Sequence, residues 1–470
     1  MNFISVEYLI FFPIFSILYY SVSSYPRQQN GLIILGSIVF YGFWSVKFLS
    51  LIFVSTLVDF FIAKRISSSS SAKERKNLLL LSLFFNLGTL FVFKYFSFFV
   101  AEFAVLLQAF GLTDRSGILE IILPIGISFY TFQSISYTVD VYRNNRIPEQ
   151  DWISFAAYIL FFPQLVAGPI ERASNILPQL HALRRLDLDD IKTAVFLLLL
   201  GYFMKVVIAD NVAPFVDFGF GGHSENALLI LISTILFGLQ VYCDFAGYSL
   251  IALGSAQLLG IKLSVNFRAP YLSTNLQDFW RSWHITLGLW FRDYVYIPLG
   301  GNKKGTFRTM INILIVMTLV GVWHGANWNF ILWGAWHGLF LSLTAFWIAS
   351  SGIKIKSSLI TKSLGWLITV IVVFFGWYLF RVDSMEQLIS HFSKFENLEL
   401  DEDLMRFAPA TGLALLSVIF LDVQIFRRSD FFQVIKDLNG FTFSITSGVL
   451  AFLIFCFFET STTNFIYFQF

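Results

Sequence analysis

The chain has 470 residues, 56% hydrophobic and only 13% charged, with a formal net charge of +2. Soluble globular chains run nearer a quarter charged, so this composition argues against a soluble multidomain protein. The near-neutral balance gives no basis for a nucleic-acid partner.

Uncharged runs at 8–26, 31–46, 226–243, 325–353, 363–380 and 440–458 have spanning length, since a helix needs about 20 apolar residues to cross the hydrocarbon core, or fewer where protein shields it. The expected fold class is an all-α polytopic membrane protein in one domain. It is divided into amino-terminal helices (1–120), a core (121–340) and carboxy-terminal helices (341–470). The 57 Phe, 12 Trp and 18 Tyr suit lipid-facing and interfacial positions. Cys243 and Cys456 lie in apolar runs and read as packing residues, because two isolated cysteines build neither a disulfide framework nor a metal motif. The first segment lacks a basic leader and a small-residue cleavage site, so it reads as a retained helix.

Helices are expected near 8–26, 31–46 and 48–63. The loop KRISSSSSAKERKN follows, with Lys64, Arg65, Lys73, Arg75 and Lys76 against Glu74. Such a loop belongs in the cytoplasm, which puts the amino terminus outside; its serine run reads as a flexible linker. Segments 78–93 and 95–111 come next, the second carrying Glu102. The stretches 123–143 and 153–180 are interrupted by Pro124, Gly126, Pro163, Gly168 and Pro169. Broken segments at membrane depth are tolerated only inside protein or along a cavity, so both are expected to be re-entrant pieces around a central site. The stretch 172–192, with Arg184 and Arg185, reads as cytoplasmic. A helix over 193–208 carries Lys205, with Asp210 just beyond. The segment 226–259, holding Asp244, reads as one tilted helix plus a second buried piece.

The carboxy-terminal half alternates cleanly. Lys354, Lys356 and Lys362 mark an inside loop, and helix 363–380 leads to an acidic outside stretch over 382–406. Helix 407–421 returns to Arg427, Arg428 and Lys436, and helix 440–458 ends outside. No internal repeat of the inverted-transporter kind is visible.

The chemistry concentrates in 278–338. This stretch opens with DFWRSWHITLGLWFRDYVYIPLGGNKKG, passes through TMINILIVMTLVGVW, and reaches His324 within VWHGANWNFILWGAWHG. An ionisable group at membrane depth is costly and marks a candidate site. Of the six histidines, His181, His223 and His391 fall in polar loops and read as solvated. His337 reads as structural. It lies thirteen residues after His324, roughly 20 Å away along one straight helix at 1.5 Å per residue. The two could share a proton relay only if Gly325 broke that helix. His324 itself titrates near neutral pH unless perturbed, which suits a general base, and Asn327 supplies an amide nearby. Around His284, the residues Trp280, Trp283, Leu287 and Phe291 recur at helical spacing with Arg281 and Arg292 on another face. That pattern predicts an amphipathic helix at the cytoplasmic interface. Beyond it, Lys303 and Lys304 sit in a glycine-rich turn that suits phosphates of a nucleotide-like donor, although positive-inside charge accounts for them equally well. HExxH spacing, Walker, GxGxxG and GxSxG motifs are all absent, which argues against a zinc site, an ATPase, a nucleotide-dependent oxidoreductase and a serine hydrolase.

The pieces PIGISFYTFQSISYTVDVYR, FFPQLVAGPIER, YCDFAGYSLIALGSAQLLGI, NFRAPYLSTNLQDFWRSWHITLGLWFRDYVYIPLGGN, VWHGANWNFILWGAWHG and FIYFQF resemble the membrane-bound O-acyltransferase (MBOAT) superfamily, specifically its bacterial alginate O-acetyltransferase branch. They cover most of the chain in order. The resemblance implies His324 as the core catalytic histidine and His284 as a second, more cytoplasmic one. It further implies about eleven helices of spanning length and a tunnel joining an inner donor funnel to an outer acceptor funnel, with His324 near its waist. The implied reaction moves acetyl from a cytoplasmic thioester, acetyl-CoA being the expected donor, toward an extracytoplasmic polysaccharide; no tightly bound cofactor is expected. Trp283, Trp323 and Asn327 are the candidates for orienting the histidines or polarising the carbonyl, with Asp278 and Arg281 supporting and Lys303, Lys304 and Arg292 toward the donor. A separate periplasmic acetyltransferase is the expected partner. Peptidoglycan acetylation and D-alanyl transfer to teichoic acid remain alternatives within the superfamily, and a transporter without acyl chemistry is the alternative from another class.

Overall fold

The computed structural model describes residues 1–111, 121–165, 168–221, 226–351, 358–393, 402–426, 431–458 and 466. His223, Lys354, Lys356, Glu396, Glu399, Asp401, Arg427, Arg428 and most of FIYFQF lie outside the described residues. Among the described residues, eight helices are long and apolar enough to cross a membrane, and Val6–Ser21 and Thr411–Gln424 are shorter apolar helices. The protein is a polytopic α-helical membrane protein. The chain divides into two compact units, one of Met1–Ala194 with Ala252–Ser264, the other of Val195–Ile251 with Val265–Phe470.

The first unit begins with α1 (Val6–Ser21), α2 (Pro26–Gly42) and α3 (Val46–Ser68). The serine run after α3 is not a flexible linker. Its first serines are helical, the Ser69 hydroxyl donates to Glu74 at 2.6 Å, and Ser71 caps α4 (Ala72–Leu90) by accepting the Glu74 N–H. The two segments expected over 78–111 are one rod, because α4 continues through a π turn at Phe91–Tyr95 into α5 (Phe96–Ala109). The interrupted stretches fold as short buried helices: α6 (Ile127–Tyr142), α7 (Trp152–Leu160), α8 (Phe162–Leu165) and α9 (Ala173–His181). Gly126 takes φ 75° there, and a Cβ on it would strike the Leu165 carbonyl, which is why this corner needs glycine. Arg184, which lies in the stretch expected to be cytoplasmic, is buried. Its guanidinium donates to Gln29, Asn30 and the Pro26 carbonyl at 2.8–3.1 Å and lies over the Tyr19 ring.

The helical run from α10 (Leu188–Tyr202), which belongs to the second unit from Val195 on, passes through a π turn at Phe203–Ala209 into α11 (Asp210–Phe220). The segment expected as a helix plus a buried piece is a single helix, α12 (Ala227–Leu258), with no proline to interrupt it. Two short helices, α13 (Leu276–Ser282) and α14 (Ile285–Phe291), precede α15 (Thr306–His324), α16 (Trp328–Ser351) and α17 (Leu359–Arg381). The unit closes with α18 (Met385–Ser393), α19 (Glu402–Phe426), α20 (Phe431–Lys436) and α21 (Gly440–Phe457). The hairpin of α15 and α16 is the tightest pair, because Gly321, Gly334 and Gly338 let the backbones touch. A Cβ on Gly321 would strike the Phe330 carbonyl, and one on Gly334 the Met317 carbonyl. Small residues at helix contacts are how membrane bundles gain packing where no hydrophobic force separates helix from lipid.

Candidate active site

Asn275 starts α13, its side-chain oxygen accepting the Asp278 N–H at 2.8 Å and its amide donating to the Asp278 carboxylate at 2.7 Å. The helix ends at Ser282. His284 then turns left-handed, with φ 41°, a conformation that costs a non-glycine residue about 1–3 kcal/mol. What holds it is the segment before α13: Ile285 N–H donates to the Asn266 carbonyl at 2.9 Å, Thr286 hydroxyl to the Asn266 side chain at 2.7 Å, and Arg268 N–H to the Ser282 carbonyl at 3.0 Å. The single amphipathic helix expected here is therefore two helices, broken at the histidine. The His284 ring is 1% exposed and packs edge-on to Phe245, with centroids 4.6 Å apart, and against Trp323 at 5.8 Å. Burial pushes its pKa down to about 3, so at neutral pH it is an uncharged imidazole.

His324 is the last residue of α15, and Gly325 breaks the chain before α16 begins at Trp328. A Cβ on Gly325 would strike the Phe330 ring. Because α16 runs back along α15, the separation expected along one straight helix does not apply. The His324 and His337 rings both touch Trp333, at 4.9 and 5.2 Å. His324 also meets Trp323 at 4.9 Å and Phe380 at 5.3 Å, and is 3% exposed. The ring is thus enclosed by aromatic faces. Trp283 belongs to the same assembly, 4.7 Å from Trp377, which stacks on Trp333 at 6.1 Å.

The remaining candidates are placed elsewhere. The Asn327 amide donates to the Asp383 carbonyl at 3.3 Å. Asp278 and Arg281 pair with each other on the surface at 3.2 Å, and Arg292 pairs with Asp293 at 2.7 Å. Lys303 and Lys304 are exposed in a turn tied down by Asn312, whose amide donates to the Gly301 carbonyl at 2.9 Å. His181 is half exposed and pairs with Glu149 at 2.9 Å. His391 departs from its solvated reading: it is buried against Phe220 and Tyr378.

Reading the sequence missed Trp333, Phe380 and Asn329. Asn329 donates to the carbonyls of Phe380 and Val382 at 3.2 and 2.9 Å, which fixes the end of α17 and so the Phe380 ring over His324. The glycines at 321, 325, 334 and 338 were the available signal, since they mark a close hairpin that turns Trp333 back toward His324.

Residues 143–386, which include both site histidines, match the model of the MBOAT, membrane-bound O-acyltransferase family. The chain is 35% identical to a protein of Pseudomonas putida named probable alginate O-acetylase, over 91% of this chain and 87% of that protein. It is 34% identical to a peptidoglycan O-acetyltransferase of Helicobacter pylori, over 81% of this chain and 76% of the relative. A teichoic acid D-alanyltransferase of Streptococcus thermophilus is 30% identical over 54% of this chain and 68% of its own length. With the family model matched over half of the chain and relatives this similar over most of their length, the chain is an acyltransferase and belongs to the membrane-bound O-acyltransferase family.

Proposed function

We propose that the protein moves an acetyl group from acetyl-CoA on the cytoplasmic side to an acceptor hydroxyl on the outer side, on the way to an extracytoplasmic polysaccharide, with His324 as general base. The supporting observation is an imidazole buried at the end of a spanning helix, at the break between two helices, inside an aromatic cage. A ring nitrogen of His324 takes the proton of the attacking hydroxyl as its oxygen bonds to the thioester carbonyl carbon. The C–S bond then breaks, and the thiolate leaves with the proton carried by the imidazolium. General-base assistance of this kind is worth roughly 10²–10⁴-fold. Trp323, Trp333 and Phe380 exclude water, which competes with the hydroxyl as nucleophile. His284, neutral and buried behind Trp323, keeps the donor side of the site at low dielectric.

The acceptor reading rests on likeness to the alginate O-acetylases; the Helicobacter relative, at nearly the same identity, supports peptidoglycan as the second reading. The setting is the bacterial cytoplasmic membrane with both termini outside, and a separate periplasmic acetyltransferase receives the group. The test is radiolabelled acetyl transfer from acetyl-CoA by purified wild type and His324→Ala at matched expression and monodispersity. Transfer by the wild type and its loss in the variant are expected. Equal transfer by both removes His324 as the base, and transfer only from a carrier-protein thioester moves the reading to D-alanyl chemistry.

A further inference from the structure

Trp333 is fully buried at the centre of the cage, yet its indole N–H has no hydrogen-bond partner among the described residues. The same holds for Trp280 Nε1 and for both ring nitrogens of His337. These three side chains touch one another: Trp280 to Trp333 at 5.6 Å, Trp280 to His337 at 5.0 Å, Trp333 to His337 at 5.2 Å. Trp333 alone of the three also touches His324, edge to face at 4.9 Å. A buried donor without an acceptor costs about 1–3 kcal/mol, and several in one cluster beside a general base is a costly arrangement for packing alone. Nearby aromatics such as Phe330 and Phe380 would fill the same volume with no polar atom to satisfy.

We propose that the Trp333 indole N–H holds the acyl carbonyl oxygen next to His324, with Trp280 and His337 completing the donor set around it. The inference rests on the acyl-transfer reading above and deepens it. As the hydroxyl oxygen bonds to the carbonyl carbon, the C=O electron pair moves onto oxygen, and the Trp333 N–H donates to that alkoxide. When the C–S bond breaks, the pair returns and the bond to Trp333 weakens. A donor aimed at developing charge acts in the transition state more than in the ground state. The thioester carbonyl oxygen supplies an acceptor for that N–H.

Two replacements separate this role from packing. Trp333→Phe deletes the N–H and some volume, and substitution of the indole by its benzothiophene isostere deletes the N–H and keeps the shape. Both are expected to lower kcat for acetyl transfer by about 10²–10³-fold with KM for acetyl-CoA unchanged, and the isostere to unfold at no lower temperature than wild type. Wild-type kcat in either variant overturns the proposal. If neither variant folds, the readout is infrared difference spectroscopy of acetyl-CoA, carbon-13 labelled at the carbonyl, bound to His324→Ala. A carbonyl stretch lowered from its solution frequency is expected, and one at the solution frequency overturns the proposal. Absence of any transfer by the wild type defeats the acyl-transfer reading instead, which keeps the two failures distinct.

Discussion

Lys205 offers the sharpest test of how the second unit is held together. Its ammonium lies 2.6 Å from Asp210 and 2.8 Å from Asp244, and the lysine and Asp244 side chains are 1% and 3% exposed. The second Asp244 oxygen accepts the Ile466 N–H at 2.7 Å. Gly201 and Gly247 make the approach possible: a Cβ on Gly201 would sit 2.7 Å from the Gly247 carbonyl, and one on Gly247 2.8 Å from the Gly201 carbonyl. Lys205→Met leaves the Asp244 carboxylate buried with no cation. Breaking a buried pair this way costs about 3–5 kcal/mol, whereas replacing every charge by apolar or neutral groups is often neutral or stabilising. Asp210, partly exposed, can rehydrate, so most of the loss comes from Asp244. Lys205→Met alone should therefore lose about 3–5 kcal/mol, and adding Asp244→Asn should restore most of it. The assay is equilibrium unfolding in mixed micelles, followed by tryptophan fluorescence. A single-variant loss under about 1 kcal/mol, or a double variant worse than the sum of the singles, refutes the reasoning.

Three further outcomes follow from other parts of the structure. Burial pushes the His284 pKa from its ordinary 6.5 down to about 3, so the folded state disfavours its charged form. Its contribution to stability is complete above pH 6.5 and is lost as pH falls toward 3. His284→Gln should flatten that part of the stability–pH curve, and an unchanged slope counts against a buried neutral ring. Gly334→Val sets a side chain against the Met317 carbonyl and should destabilise by about 1–3 kcal/mol or more, read as a lower melting temperature. Gly448→Ala, with open space around it, should gain about 0.5–1 kcal/mol from helix propensity.

The residues legible in the sequence were those whose environment is set by local pattern. Apolar length gave the carboxy-terminal helices nearly to their ends: 363–380 against Leu359–Arg381, and 440–458 against Gly440–Phe457. His324 stood out because the cost of a polar group at depth needs no tertiary knowledge. Illegible were features fixed by distant backbone. The helical spacing of Trp280, Trp283, Leu287 and Phe291 was real, yet Asn266 captures the Ile285 N–H and Thr286 hydroxyl and breaks the helix at His284. Charge was similarly ambiguous. Arg184 looks like a cytoplasmic marker until three neutral oxygens are found around it, and Lys205 looks unremarkable until two helices bring its carboxylates.

The aromatic content has a meaning that composition could not give. Fifty-seven Phe among 470 residues reads as lipid-facing surface, and the exposed faces of Phe84, Phe103 and Phe455 fit that reading. The rings that enclose His324 are a different population, since Trp323, Trp333 and Phe380 are buried. Phe380 is held by Asn329 through the carbonyls of Phe380 and Val382. Such a wall does two jobs at once. It keeps the His324 imidazole in a low-dielectric setting where a developing charge is strongly stabilised by any aligned N–H, and on the proposed reading it would keep water from the acyl donor. An open polar tunnel would bring substrates in faster and forfeit both. An aromatic enclosure around the imidazole therefore suits the proposed group transfer, in which water must be kept from the acyl group.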